Sequence, residues 1–209
     1  MNKHQNELKK GRKYDQVIQG ARSIFMREGF EGASVDAIAK AAEVSKATLY
    51  SYFADKRELF LAVAECECLR QAEAAMELAR TGQTTRETLT DIAQRLVSFF
   101  LSDFGQSVYR ICVAESERFP ELGRSFYLSG PDKARQEIAN FLEIAVERGD
   151  LAIPDCRFAA DQFAALCKAD LHTRLIFNIS QKITEEDVRR LITESVEMFL
   201  ARYSTNPKA

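Results

Sequence analysis

The sequence predicts an all-α protein. Apolar residues recur at three-and-four spacing through most of its 209 residues, no stretch of useful length alternates as a strand would, and nine Gly with four Pro leave little material for a turn-rich β architecture. A content of 46% hydrophobic and 29% charged residues supports a sizeable core and excludes a disordered chain. No apolar run approaches the ~18 residues a membrane span needs, and the charged N-terminus lacks the apolar stretch of a secretory signal. Cys66, Cys68, Cys112, Cys156 and Cys167 are odd in number and fit reduced thiols better than a disulfide framework. The expectation is a cytoplasmic protein with no membrane partner.

The helices follow in order. Val17, Ile18, Ala21, Ile24 and Phe25 form one buried face, and Gly29 stops that helix in a left-handed position, with Phe30 placed to close over Phe25. Ser34 is the N-cap of a short second helix that ends near Ala41 or Ala42, and Ser45 caps a third that stacks Leu49 and Phe53 four apart. Asp55 with Glu58 forms a capping box for a fourth helix carrying Leu59, Phe60, Val63 and Ala64. Beyond it, periodic segments cover roughly 84–102, 106–118, 133–148, 156–178 and 184–203, punctuated by Gly82, Gly105, Pro120, Gly130, Pro131, Gly149 and Pro154. The architecture expected is a small three-helix unit joined by a connecting helix to a larger helical domain.

Charge and surface chemistry single out the small unit. Residues 1–60 carry 11 Lys/Arg against 8 Asp/Glu, whereas residues 61–209 carry 18 against 23, and Lys3, Lys9, Lys10, Arg12 and Lys13 make a basic arm suited to a polyanion. The stretch SVDAIAKAAEVSKATLYSYF, residues 34–53, has the layout of a helix-turn-helix: Val35, Ile38 and Ala39 inside the first helix, a turn at 42–44, then Leu49 and Phe53 inside the second. Opposite Leu49 the second helix shows Ala47, Thr48, Tyr50 and Ser51, small or hydrogen-bonding and free of negative charge, as a helix lying in a major groove requires. Lys46 and Lys56 bracket that face.

With ARSIFMREGFEGASVDAIAK upstream and VSKATLYSYFADKRELF across the third and fourth helices, residues 10–65 resemble the DNA-binding domain of the TetR family of transcriptional regulators. The resemblance implies a DNA-binding domain at 10–70, with the helix-turn-helix at about 33–53, and an effector-binding and dimerisation domain at 71–209. The DNA-contacting set expected from residues and resemblance together is Ser34, Ser45, Lys46, Ala47, Thr48, Tyr50, Tyr52 and Lys56. One position departs from the family pattern: Glu43 stands where Gly is frequent in the turn, and in a left-handed conformation this costs on the order of 1 kcal/mol. YRICVAESERFPELGRSFYLSGP, residues 109–131, and AADQFAALCKADLHTRLIF, residues 159–177, are similar to the C-terminal domain of the AefR-like branch of the family. The implied protein is a ligand-responsive repressor that binds a near-palindromic double-stranded operator as a homodimer. Ligand binding would change the separation of the two reading helices, which must dock about 34–36 Å apart or a multiple of this.

In the larger segment Phe100, Phe104, Tyr109, Phe126 and Tyr127 are candidates for a pocket accepting an apolar or aromatic small-molecule effector; core packing explains each ring as well. The last two periodic segments bury their faces internally or against a second copy, which makes Phe163, Leu171, Leu175, Leu191, Val196 and Phe199 candidate dimer-interface residues. No metal site or cofactor is expected: Cys66 and Cys68 point about 200° apart on a helix, His4 and His172 are the only histidines, and no phosphate-binding Gly-rich loop is present. The absence of a reacting constellation argues against an enzyme. The alternative to a regulator is a helical small-molecule-binding or adaptor protein without sequence-specific DNA binding.

Overall fold

A computed structural model of the chain describes residues 11–79, 84–117, 120–179 and 182–205. Lys3, Lys9 and Lys10 of the basic arm, together with His4 and Gly82, lie outside the described residues. The helices are α1 (Arg12–Gly32), α2 (Val35–Ala41), α3 (Lys46–Tyr52), α4 (Lys56–Ala79), α5 (Thr85–Leu101), α6 (Asp103–Glu115), α7 (Pro120–Ser129), α8 (Pro131–Glu147), α9 (Cys156–Leu166), α10 (Leu171–Ile176) and α11 (Glu185–Tyr203). Among the described residues the only β interaction is one antiparallel bridge between Leu151 and Ser204, and no helix is long and apolar enough to cross a membrane. The chain divides into two compact units, Met1–Glu67 with Ser107–Phe126, and Cys68–Gln106 with Tyr127–Ala209. Residues 107–126 thus cluster with the N-terminal helices although they fall within the 71–209 segment.

In the first unit, α1 leaves its helical path at Gly29, whose φ of 69° is the left-handed conformation that glycine adopts without a Cβ penalty. Phe30 then stacks on Phe25 with centroids 6.2 Å apart, and Phe60 of α4 meets both rings edge-on at 4.9 and 5.1 Å. Such aromatic pairs contribute about 0.5–1.5 kcal/mol each beyond the area they bury. Around this hub Val17, Ala21, Ile38, Leu49, Leu59 and Val63 are fully enclosed. Gly20 lets α1 approach the turn after α2: a Cβ at this position would lie 2.5 Å from the Ala42 nitrogen and 2.6 Å from its Cα. Arg22 adds a polar tie from α1 to α4, its Nε donating to Glu67 Oε2 at 2.6 Å, with Glu67 buried.

The caps form where local sequence places them. Asp55 Oδ1 accepts from the Arg57 and Glu58 amides at 2.8 and 2.9 Å, although Glu58 reaches back to the Ala54 N–H at 2.6 Å rather than to that of Asp55. Pro120 and Pro131, expected to punctuate, each open a helix, because a fixed φ and a missing N–H suit a first turn. Hence α7 is a helix that the periodicity did not separate. The expected segment 156–178 is also two helices, broken at 167–170.

The second unit packs α8 on α9 and α5 on α11 around Leu89, Val97, Ile138, Leu142, Ala160, Phe163, Val196 and Phe199. This bears on the dimer-interface expectation. Phe163, Leu171, Val196 and Phe199 are buried by the chain's own helices, and Leu175 and Leu191 are half-buried, so a second copy cannot use the first four without opening the core. The deepest parts of those apolar faces are satisfied internally. Gly149, at φ 79°, turns the chain out of α8, and Ala152 N–H donates to the Tyr203 carbonyl at 2.8 Å, fixing the end of α11 beside that turn.

Gly20→Ala will lower the stability of the N-terminal unit by about 1–3 kcal/mol, because its methyl group meets backbone rather than a flexible side chain. Gly32→Ala, whose Cβ would meet nothing closer than the Glu28 Cβ at 3.5 Å, is the control and will leave Tm nearly unchanged. Thermal unfolding followed by circular dichroism checks both.

Candidate nucleic-acid interface

The helix-turn-helix is assembled from local hydrogen bonds. Ser34 Oγ accepts from the Ala37 N–H at 3.1 Å and starts α2; Ser45 Oγ accepts from the Thr48 N–H at 3.0 Å and starts α3. Between them Ala42 N–H donates to Ile38 O at 2.9 Å and Val44 N–H to Ala39 O at 3.0 Å, which forces Glu43 to a φ of 54°. The turn is therefore left-handed at the position where the sequence carries Glu instead of Gly. The Ser45 and Thr48 hydroxyls are also 2.9 Å apart, so the hydroxyl face at the start of α3 is preorganised.

Leu49 and Phe53 point inward and are buried, leaving Ala47, Tyr50 and Ser51 exposed and Thr48 half-exposed. Tyr50 presents half of its surface. None of these side chains carries charge, and together they give α3 an outward surface able to approach base edges closely and to donate or accept hydrogen bonds. Tyr52 is half-buried, its ring 5.7 Å from Tyr14 in an edge-on contact. Tyr14 in turn packs on Phe53 at 5.5 Å, and burial pushes its phenol up to about 12.

The two expected cations behave differently. Lys46 is exposed and its ammonium lies 2.5 Å from Asp36 Oδ1, which raises its pKa; a solvent-exposed pair of this kind is weak. Lys56 is half-buried. Its ammonium donates to the Phe30 and Ala33 carbonyls at 2.8 and 3.1 Å and rests 4.5 Å over the Phe30 ring, closing the chain that links α1 to α2. Arg12 and Lys13, at the start of α1, are exposed.

Comparison with known proteins matches residues 17–63 to the bacterial regulatory proteins of the tetR family and residues 87–205, more than half of the chain, to the C-terminal domain of AefR-like transcriptional repressors. The chain belongs to the TetR family. The flavonoid-responsive regulator FrrA is 36% identical in a structural match covering 94% of this chain and 99% of that one, with a TM-score of 0.67. A solved structure from Mesorhizobium loti assigned to TetR-family regulators is 26% identical over 93% of this chain and 98% of the other, with a TM-score of 0.79. The transcriptional repressor AcnR of Corynebacterium efficiens is 37% identical over 62 residues, 30% of this chain, and the match spans about a third (33%) of that repressor's length. TetR-family proteins are transcriptional regulators, not enzymes, and α2 with α3 is the helix-turn-helix of this member.

The remaining expected residues are more dispersed. Phe100, Phe104 and Tyr127 belong to the second unit, Tyr109 and Phe126 to the first. Phe104 is buried, Phe100 packs against the core, and Tyr109 and Tyr127 are exposed. Burial pushes the Cys112 and Cys167 thiols up to about 12, so neither presents a thiolate at neutral pH. Among the described residues no group of three His, Cys, Asp or Glu is placed to hold a metal.

Glu43→Gly relieves the left-handed strain, about 1–2 kcal/mol, and returns part of it as unfolded-chain entropy, so a net stabilisation of ~0.5–1 kcal/mol is expected. Glu43→Ala keeps the positive φ and gains nothing. A denaturant titration of the three proteins will separate the two effects.

Proposed function

We propose that the chain is a ligand-responsive repressor that binds a near-palindromic DNA operator as a homodimer. Residues 10–70 read DNA in this scheme, and residues 71–209 bind an effector and dimerise. The observation that carries the reading is the uncharged, hydroxyl-bearing face of α3, held by Ser45 against Thr48 and backed by Leu49. A surface built only to be soluble would place charge at Ala47, Thr48, Tyr50 and Ser51.

Ser34, Ser45, Lys46 and Tyr52 act at the rim of that face, on phosphates, while Ala47, Thr48 and Tyr50 meet bases. Lys56, half-buried at the same rim, also braces the segment joining α1 to α2. Repression agrees with the printed description of AcnR and with that of NicS from Pseudomonas putida, 33% identical over 82 residues, a match covering 39% of that protein. A small aromatic effector agrees with the flavonoid response named for FrrA.

Dimerisation falls to apolar side chains that the core leaves outside. Phe158 of α9 and Met198 of α11 each expose more than half of their surface, at 58% and 59%. We place the two-fold contact there, with Leu175 and Leu191 at its margin. Two reading helices can then dock in successive major grooves, and an effector that changes their separation lowers the apparent affinity.

Selection of bound fragments from random duplex DNA will yield a two-fold symmetric site; enrichment of no sequence would refute the proposal. On that duplex Thr48→Ala and Tyr50→Phe will each weaken binding by about 1–3 kcal/mol while leaving the salt dependence unchanged, since neither removes a charge. Met198→Glu together with Phe158→Glu will convert the dimer to single chains in sedimentation velocity, and an unchanged sedimentation coefficient would place the interface elsewhere.

A further inference from the structure

The turn between α9 and α10 holds strain that connecting two helices does not require. Leu171 N–H donates to the Ala169 carbonyl at 2.7 Å across Asp170, whose φ of 58° and ψ of −67° define a γ-turn of the strained hand. Strain of this kind persists where the surroundings hold a functional geometry. The Asp170 carboxylate is occupied by Arg174, which lies 2.9 Å from Oδ1 through Nε and 2.7 Å from Oδ2 through a terminal nitrogen.

The turn sets Lys168 and His172 against the same ring of α5. Lys168 Nζ lies 4.6 Å from the Phe100 centroid, and the His172 ring lies 5.8 Å from it, edge-on. His172 is buried and Lys168 half-buried, so the ammonium has lost part of its water. No described residue forms an ion pair or side-chain hydrogen bond with this ammonium; Asp161, whose charge is felt there, is itself bonded to Arg135 at 3.1 Å. Burial lowers the pKa of Lys168, and burial with the neighbouring ammonium lowers that of His172, so the imidazole does not add a second cation beside the first. A partly desolvated cation on an aromatic face without a counter-ion is costly, and a bound anion removes that cost.

We propose that Lys168 and Phe100, with the His172 ring beside them, anchor an effector site for a small aromatic acid, with the ligand's anionic group on the Lys168 ammonium and its ring against Phe100. The inference rests on the ligand-responsive reading above and adds the charge of the ligand.

The test uses the full chain and two fluorescent probes with one ring system, 1-anilinonaphthalene-8-sulfonate and its uncharged parent N-phenyl-1-naphthylamine. Lys168→Met will weaken the anionic probe by about tenfold or more and leave the neutral one within about twofold, while Lys168→Arg, which keeps the charge, will stay close to wild type. Far-UV circular dichroism verifies folding, and if Lys168→Met does not fold, Lys168→Gln replaces it. Equal affinity of wild type and the neutralised variant for the anion, or parallel loss of both probes, overturns the proposal.

In a second arm 1-naphthoate is added to the complex with the selected duplex, and release from wild type but not from Lys168→Met is expected. A charge-selective loss in the first arm without release in the second leaves the site standing and defeats the ligand-responsive reading. Release by 1-naphthoate that survives in Lys168→Met defeats the site and leaves the reading intact.

Discussion

The contact of Gly20 with Ala42 is the constraint on which the DNA-reading unit depends. Backbone meets backbone there, with no room for even one methyl group on α1. The approach holds the turn after α2 against a rigid helix, and the turn in turn fixes the direction in which α3 departs. The left-handed Glu43 follows from it: the chain must reverse within three residues while Ala42 stays seated against α1, and Val44 must still reach the Ala39 carbonyl. Strain of on the order of 1 kcal/mol at one residue is small beside the enclosure of Ile38, Leu49 and Phe53 that the same geometry permits.

What the sequence made legible was local. Ser34, Ser45, Asp55 and Gly29 act on amides or rings only a few residues away, so residue type and spacing are enough to place them. Interactions across long separations were not legible. Arg22 with Glu67, 45 residues apart, and Lys56 with Phe30, 26 apart, depend on which face meets which partner, and a helical wheel gives only an angle on one helix. The same limit explains Phe163 and Phe199. Their periodicity marks them as apolar-facing, and their rings, 5.0 Å apart in one core, show that the partner is the chain itself. The break at 167–170 was invisible for a different reason: the γ-turn at Asp170 is stabilised by no residue type that announces it, and Lys168 gains meaning only when Phe100 is seen beneath it.

Turning Lys56 inward changes the electrostatic character of the interface. With that ammonium committed to two carbonyls and Lys46 shared with Asp36, the α3 surface carries little free positive charge. Phosphate attraction supplies sequence-independent affinity, whereas hydrogen bonds and close apolar contact at base edges supply discrimination. A reading helix poor in free cations shifts the balance toward the second. The exposed Arg12 and Lys13 at the start of α1 sit apart from α3 in the sequence, so charge and readout are carried by different elements.

Under the proposed function a signal reaching DNA must move α3 without deforming it, and the first unit ties its helices tightly enough for that. Phe60 of α4 packs on Phe25 and Phe30 of α1, Glu67 holds Arg22, and Lys56 ties α4 to the segment joining α1 to α2. Contacts of three different chemistries, from the first turn of α4 to Glu67, bind this helix to the rest of the unit. Bending it locally would separate aromatic rings and leave a buried carboxylate short of a partner, a larger cost than the 1–3 kcal/mol by which allosteric effectors commonly act. In the proposed scheme the coupling energy therefore acts on the N-terminal unit as a body and leaves the Thr48 and Tyr50 surface unchanged.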